Sequence, residues 1–310
     1  MSMFKRIFLF LLINILVVLT LSAICNFLQI QPLLTSYGID AKALMFFCLI
    51  WGMGGAFISL FLSKHMIKWM MNINIIDAHN SSSKEKILLS YVTELATNAN
   101  VKMPEVGVYE SSDVNAFATG MSKNKSLIAV STGLLERMSS QEVKAVLGHE
   151  MTHISNGDMV TMTLLQGIVN AFVMFLARIL AFVISGLGKN KENNSGGYMT
   201  YYFTTMFLEI IFMILGSIPL AFFSRIREYR ADKGSAQLVG KEYMISALQT
   251  LKEIQEEKEI KSQEEETLTP APAPALNTLK ISSSKKTLIS LFATHPSLED
   301  RIERLKNLVL

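Results

Sequence analysis

Four long apolar runs, arranged as two pairs, are separated by stretches with amphipathic spacing. The first runs from Ile7 to about Ile30, behind Lys5 and Arg6. It is long enough to cross a bilayer core of roughly 30 Å and too long for an ordinary signal core, so an uncleaved anchor is expected. The second, Ala43 to Leu62, contains Gly52, Gly54 and Gly55 and ends at Lys64, His65 and Lys68. Small residues of this kind let helices approach closely in lipid. The third and fourth runs, from about Met159 to Ile184 and from about Tyr201 to Phe223, are joined by the polar loop Gly186 to Thr200. Two transmembrane hairpins are predicted. Each span of the second carries one ionisable residue, Arg178 and Glu209; such groups rarely face lipid alone, so either they pair across the hairpin or Arg178 snorkels to the interface.

Between the hairpins the pattern is that of a water-soluble domain. Ser82 with Glu85, and Ser139 with Glu142, are capping boxes opening amphipathic helices. The first helix runs through Ala99 with Leu88, Tyr91 and Leu95 on its apolar face; the second uses Val143, Val146, Leu147 and Met151. The β-prone runs Val106–Tyr109, Val114–Gly120 and Leu127–Val130 predict a sheet of about three strands. Beyond the fourth span a helical stretch reaches about Glu257. Glu264–Glu266, the Pro-Ala run Pro270–Pro274 and Ser282–Ser284 then predict a disordered linker over about 255–286. A last helix opens at His295-Pro296-Ser297. The expected organisation is a hairpin at 1–70, a first part of the soluble domain at 71–158, a second hairpin at 159–224, and the rest of the domain at 225–310.

Composition sharpens this picture. Half of the 310 residues are hydrophobic, and the net charge is only +3, so no basic surface argues for nucleic acid. Lys5 and Arg6, Lys64 to Lys68, and Arg225, Arg227 and Arg230 all flank spans on one side, predicting cytoplasmic termini and a cytoplasmic domain. The two cysteines, Cys25 and Cys48, lie inside apolar runs; a disulfide framework and a Cys-x-x-Cys metal site are excluded.

The chemistry lies in His149-Glu150-Met151-Thr152-His153, within the second amphipathic helix. Two imidazoles four residues apart share one helix face and can hold one metal ion, with Glu150 beside it as a general base. Zinc with an open position needs a third protein ligand. Asp158 is a poor candidate, about 180° round a continuous helix from His149, and Glu209 lies within a span. Glu228 fits, because two crossings return the chain to the side it left. Asp232, one turn later, is suited to accept a hydrogen bond from a ligating imidazole.

His149-Glu150-Met151-Thr152-His153, Glu228-Tyr229-Arg230-Ala231-Asp232, Asn115 to Gly120 and Thr294-His295-Pro296 together resemble the HtpX family of membrane zinc metalloproteases, which is related to the CAAX prenyl endopeptidases. The resemblance implies one zinc per chain on His149, His153 and Glu228, with Glu150 as catalytic base. It also implies that Asn115, Ala116, Phe117, Ala118 and Thr119 belong to an edge strand that binds substrate near the zinc. His295 and Arg301 match the His-Pro-x-x-x-x-Arg spacing of related enzymes, which implies catalytic roles, His295 supporting the oxyanion. The fold so implied is an α-helical integral membrane protein with an α+β zincin-like cytoplasmic protease domain and four transmembrane helices in two hairpins. The function so implied is quality control, under stress, of unfolded or damaged proteins in the inner membrane of a bacterium, and the linker makes self-cleavage plausible.

Two other readings compete. One is another protease class: four spans instead of about seven speak against a prenyl-protein endopeptidase, and Glu136, Arg137, Glu142 and Lys144 make the motif helix too polar to lie in hydrocarbon, as an intramembrane site-2-like enzyme requires. A non-catalytic membrane adaptor would close a structural zinc site with four protein ligands, and only three are in view.

Overall fold

The computed structural model describes residues 40–187, 194–268 and 292–309. The expected first span, Ile7 to Ile30, and most of the expected linker lie outside the described residues. The chain divides into two compact units: one ends at Phe61 and resumes over Val160–Leu220, and the other comprises Leu62–Met159 and the chain from Ala221 onward.

Three helices among the described residues are long and apolar enough to cross a membrane. They are α1 (Ala41–Met70), α5 (Asp158–Leu187) and α6 (Asn194–Leu238). Within the first unit α5 packs against both others. Ala41, Met45 and Cys48 of α1 bury against Phe175 and Ile179 of α5. A Cβ on Gly52 would lie 2.6 Å from the Ala171 nitrogen, so only glycine permits this approach; Gly54 and Gly55 meet nothing within 4 Å and carry no such constraint. On the other side, Arg178 Nη1 lies 2.6 Å from Glu209 Oε1, so of the two alternatives the residues pair across the hairpin. Rows of outward apolar side chains on α1 and α6, among them Ile50, Trp51, Phe203, Phe207 and Ile210, are suited to lipid contact.

The second unit is built around α4 (Ser140–Asn156), which carries the His-Glu-x-x-His motif. Its capping box forms as expected: Ser139 Oγ accepts from the Glu142 backbone N–H, and the Glu142 carboxylate accepts from the Ser139 backbone N–H. One face of α4, with Val143, Leu147, Met151 and Ile154, packs against Leu88, Val92 and Leu95 of α2 (Ser83–Asn98) and against Ile128 and Val130 of the sheet. The opposite face, at Ala145, meets Ala236 of α6, Met244, Ala247 and Leu248 of α7 (Lys241–Leu268), and Ile302 and Leu305 of α8 (Leu298–Lys306). Burial on both sides fixes the rotation of α4, and with it the direction of its histidines.

The sheet has four strands: β1 (Asn74–Ile75), β2 (Glu105–Tyr109), β3 (Ala116–Ser122) and β4 (Lys125–Ser131), in the order β1-β2-β4-β3. β2 and β4 are parallel, and the other neighbours are antiparallel. The short β1 adds a strand to the three expected. Among the described residues β3 is an outer strand, paired only with β4 from Ala116↔Val130 to Ser122↔Lys125 with an irregularity at Gly120. A short helix α3 (Thr132–Arg137), capped by Ser131, links β4 to α4.

Three stretches depart from the sequence reading, the first being the expected loop Gly186 to Thr200, which is already helical from Asn194. The chain does not remain helical from α6 into α7: it breaks at Gly240, whose φ of 128° suits glycine alone. And α7 continues through Gln255 to Leu268, where the linker was expected to begin, because Glu, Lys and Gln are strong helix formers as well as disorder-prone residues.

Candidate active site

The site forms where α4 and α6 approach closely, and small residues make that approach possible. A Cβ on Gly234 of α6 would lie 2.3 Å from Thr152 Cγ2, and one on Gly148 of α4 would lie 3.0 Å from Ser235 Oγ. Ser235 Oγ in turn donates to the Ala145 carbonyl at 2.5 Å, locking the two helices in register. This contact brings Glu228 to the histidines.

His149 Nε2 and His153 Nε2 lie 3.2 Å apart. Glu228 Oε2 is 3.4 Å from the first, and Glu228 Oε1 is 3.4 Å from the second. Two donors held about 2.05 Å from a tetrahedral zinc stand about 3.3 Å apart, the separation of the two imidazole nitrogens and of each from one oxygen of Glu228, and one ligand atom from each of the three residues lies within 4.8 Å of the others. The remaining ring nitrogens are also engaged. His149 Nδ1 is 2.9 Å from Asp232 Oδ1, and His153 Nδ1 is 2.7 Å from Asp158 Oδ2. An Nδ1–H bonded to a carboxylate leaves Nε2 as the bare donor, the tautomer a metal needs.

Asp232 in turn accepts a bidentate pair from Arg301, Nε at 2.8 Å and Nη2 at 2.6 Å. Both side chains are buried. Arg301 therefore reaches the site through Asp232 and His149; its Nη2 lies 3.5 Å from His149 Nδ1. His295 is mostly exposed, with its Nδ1 3.1 Å from Glu228 Oε2. Glu150 is half-buried and lines the same cleft.

Electrostatics favour a cation here. Burial opposes charge on both imidazoles, yet hydrogen bonds to Asp232 and Glu228 raise the pKa of His149, and those to Asp158 and Glu228 push His153 up to about 9. Burial likewise opposes ionisation of Glu228 and Asp232, but His149 and His153 hold Glu228 well below the usual carboxylate range, and Arg301 and His149 lower the pKa of Asp232. Buried carboxylates that draw protons onto two imidazoles make a site that could hold a metal ion in place of those protons.

The cleft is about 390 Å³ and is lined by Asn115 to Ala118, His149, Glu150, His153, Arg227, Glu228 and His295, with an apolar wall of Leu134, Val146, Met244 and Leu251. Asn115 and, on the outer strand β3 that follows it, Ala116, Phe117 and Ala118 thus share the cleft with the histidines. Thr119 does not line the cleft; its hydroxyl lies 3.3 Å from Ser63 Oγ.

Asp158 is the residue the sequence reading missed. It is not among the three donors, but it holds His153. α4 ends at Gly157, in the left-handed conformation (φ 67°, ψ 39°), and α5 begins at Asp158. The projection along a straight helix fails at that turn. Gly157 itself, a glycine directly after the motif helix, was the signal of a C-terminal cap.

The model of peptidase family M48 matches residues 82–309. The chain is 47% identical over 307 residues to the "Protease HtpX homolog" of Methylacidiphilum infernorum (isolate V4), covering 99% of each chain. To the "Protease HtpX homolog" of Bacillus subtilis (strain 168) it is 45% identical over 312 residues, covering 98% of this chain and 99% of that one. The crystal structure of S. mikatae Ste24p shares the fold at a TM-score of 0.54 and 17% identity, over 96% of this chain and 66% of that one. By its sequence, along nearly its whole length, the chain belongs to peptidase family M48 and, within it, to the membrane proteases named HtpX.

Proposed function

We propose that this metalloprotease is a zinc-dependent endopeptidase acting on misfolded or damaged membrane proteins at the cytoplasmic face of a bacterial inner membrane. The observation that carries the chemistry is the spacing of His149 Nε2, His153 Nε2 and Glu228, 3.2 to 3.4 Å apart. These three would hold the ion. When bound, zinc supplies Lewis acidity, lowering the pKa of a water towards about 7 and polarising a carbonyl.

The chain's own residues do the rest. Asp232 and Asp158 fix the tautomer and ring orientation of the two imidazoles, and Arg301 holds Asp232 in place. Glu150, beside the histidines in the cleft, takes the proton from the attacking water and returns it to the leaving amine. His295 donates to the scissile carbonyl oxygen as it gains charge. The outer edge of β3, at Asn115 to Ala118, takes an extended peptide as an added strand, a mode that reads main chain and tolerates many sequences. Such tolerance suits quality control. The side of action rests on Lys64 and Lys68, which follow the apolar part of α1, and on Arg225, Arg227 and Arg230, which follow that of α6.

The test is reconstitution. Full-length protein purified in detergent with chelator should neither cleave an unfolded membrane protein nor casein, and one equivalent of zinc should restore both. Cleavage that is indifferent to chelator would refute the proposal.

A further inference from the structure

The residue before Glu228 has no role in the chemistry above, yet its side chain lies in the cleft. Arg227 lines the cavity with His149, Glu150 and His153. Its acceptors are few and distant: Nη2 lies 3.3 Å from Ser224 Oγ and 3.5 Å from Glu228 Oε1. Its Nε is buried without a hydrogen-bond partner among the described residues. A guanidinium carries five N–H donors, and leaving a buried one unpaired is costly enough that each such case calls for a partner. The other arginine of the cleft, Arg301, differs in being committed to both oxygens of Asp232.

An extended peptide supplies what Arg227 lacks. Laid on the outer edge of β3, it makes main-chain hydrogen bonds along one side only. The carbonyls on its other side lose water on entering the cleft and need donors there. We propose that Arg227 is a substrate-binding residue, donating to a main-chain carbonyl oxygen of the peptide bound along β3. This rests on the peptidase reading of the cleft. It predicts a contribution to binding that does not depend on the substrate's side chains, because a main-chain carbonyl is common to every peptide. It also assigns Arg227 to the substrate and not to the Glu228 carboxylate, from which it is separated by 3.5 Å, too far for a firm charge-assisted hydrogen bond.

The test uses full-length zinc-loaded protein in detergent with Glu150→Gln, which binds without cleaving, and two fluorescently labelled unstructured peptides, one neutral and one rich in glutamate. Adding Arg227→Gln should weaken binding of both peptides by about tenfold or more, the loss of a hydrogen bond to a charged group. Arg227→Lys should fall between, since it keeps charge but not the fork. Zinc stoichiometry should be unchanged in all of them, and in the active background Arg227→Lys should raise KM more than it lowers kcat. Equal binding by Arg227→Gln and the parent would overturn the inference. So would a loss confined to the acidic peptide, which would make a side-chain carboxylate the partner, or loss of zinc, which would make Arg227 a support for Glu228. If the Glu150→Gln parent binds neither peptide, the peptidase-cleft reading itself fails and takes this inference with it.

Discussion

Replacing Asp158 tests whether the carboxylate behind His153 contributes to the metal site, with a magnitude the structure bounds from two directions. Asp158 is 6% exposed, and its Oδ2 accepts from His153 Nδ1 at 2.7 Å. A hydrogen bond to an ionised group contributes about 1.5–3 kcal/mol when its partner would otherwise be stranded. Independently, removing the outer partner of a ligating imidazole lowers metal affinity about 10- to 100-fold, which is about 1.4–2.8 kcal/mol. The two ranges agree. Asp158→Ala should therefore weaken zinc binding towards the hundredfold end, and Asp158→Asn, which keeps a neutral acceptor, nearer tenfold. Competition with a chromogenic zinc chelator, on full-length protein in detergent at fixed pH, measures both. Because Asp158 also opens α5, its loss removes a favourable charge at a helix N-terminus, worth about 0.3–1 kcal/mol. That part appears as a lower melting temperature of the zinc-free protein and is subtracted. Zinc affinity within twofold of the parent in both variants would refute the reasoning.

Other expectations follow from the same geometry. Gly157→Ala forces a side chain into the left-handed region and should cost about 1 kcal/mol in denaturant unfolding while also weakening zinc binding, since Gly157 aims Asp158 at His153; unchanged chelator competition would contradict the second part. Glu142 is buried, which opposes its charge, but Ser246, the Ser139 backbone and Thr250 hold its pKa below the ordinary 4.5. Its stabilisation is thus complete above about pH 4.5 and is lost as pH falls through the lower folded value. Glu142→Gln should cost about 1.5–3 kcal/mol at pH 7, measured by unfolding, and should flatten the acid limb; parallel pH profiles would exclude the mechanism. In the first unit, Arg178→Glu and Glu209→Arg should each lower accumulation of folded protein and should rescue one another when combined, with failure of rescue disproving the 2.6 Å pair as a stabilising contact.

How much of this was legible in the sequence depended on the range of the interaction. His149, Glu150 and His153 were readable because helix periodicity is local, and both capping boxes stand where Ser and Glu are three residues apart. Glu228 and Asp232 needed the topology of the second hairpin as well. Arg301 was visible only as part of a motif, because its partner Asp232 is 69 positions away in the chain and no spacing rule connects them. A straight helix continued through Gly157 carries Asp158 to the face opposite His149, and only the left-handed turn there brings it back to His153. The two-residue β1 is too short to carry an alternating pattern, and the acidic end of α7 has a composition shared by exposed helix and disorder. The close approach of α4 and α6 at Gly148, Gly234 and Ser235, on which the site depends, leaves no periodic trace, since small residues signal contact only when both surfaces are known.

The central claim is that His149, His153 and Glu228 hold one catalytic zinc and that Glu150 moves the proton. The most direct test measures zinc content and casein cleavage on the same detergent preparations of the parent, Glu150→Gln and Glu228→Ala proteins. Glu150→Gln should hold one zinc per chain without cleavage, and Glu228→Ala should lose zinc together with activity. Cleavage by zinc-loaded Glu150→Gln, or full zinc retention by Glu228→Ala, would contradict it.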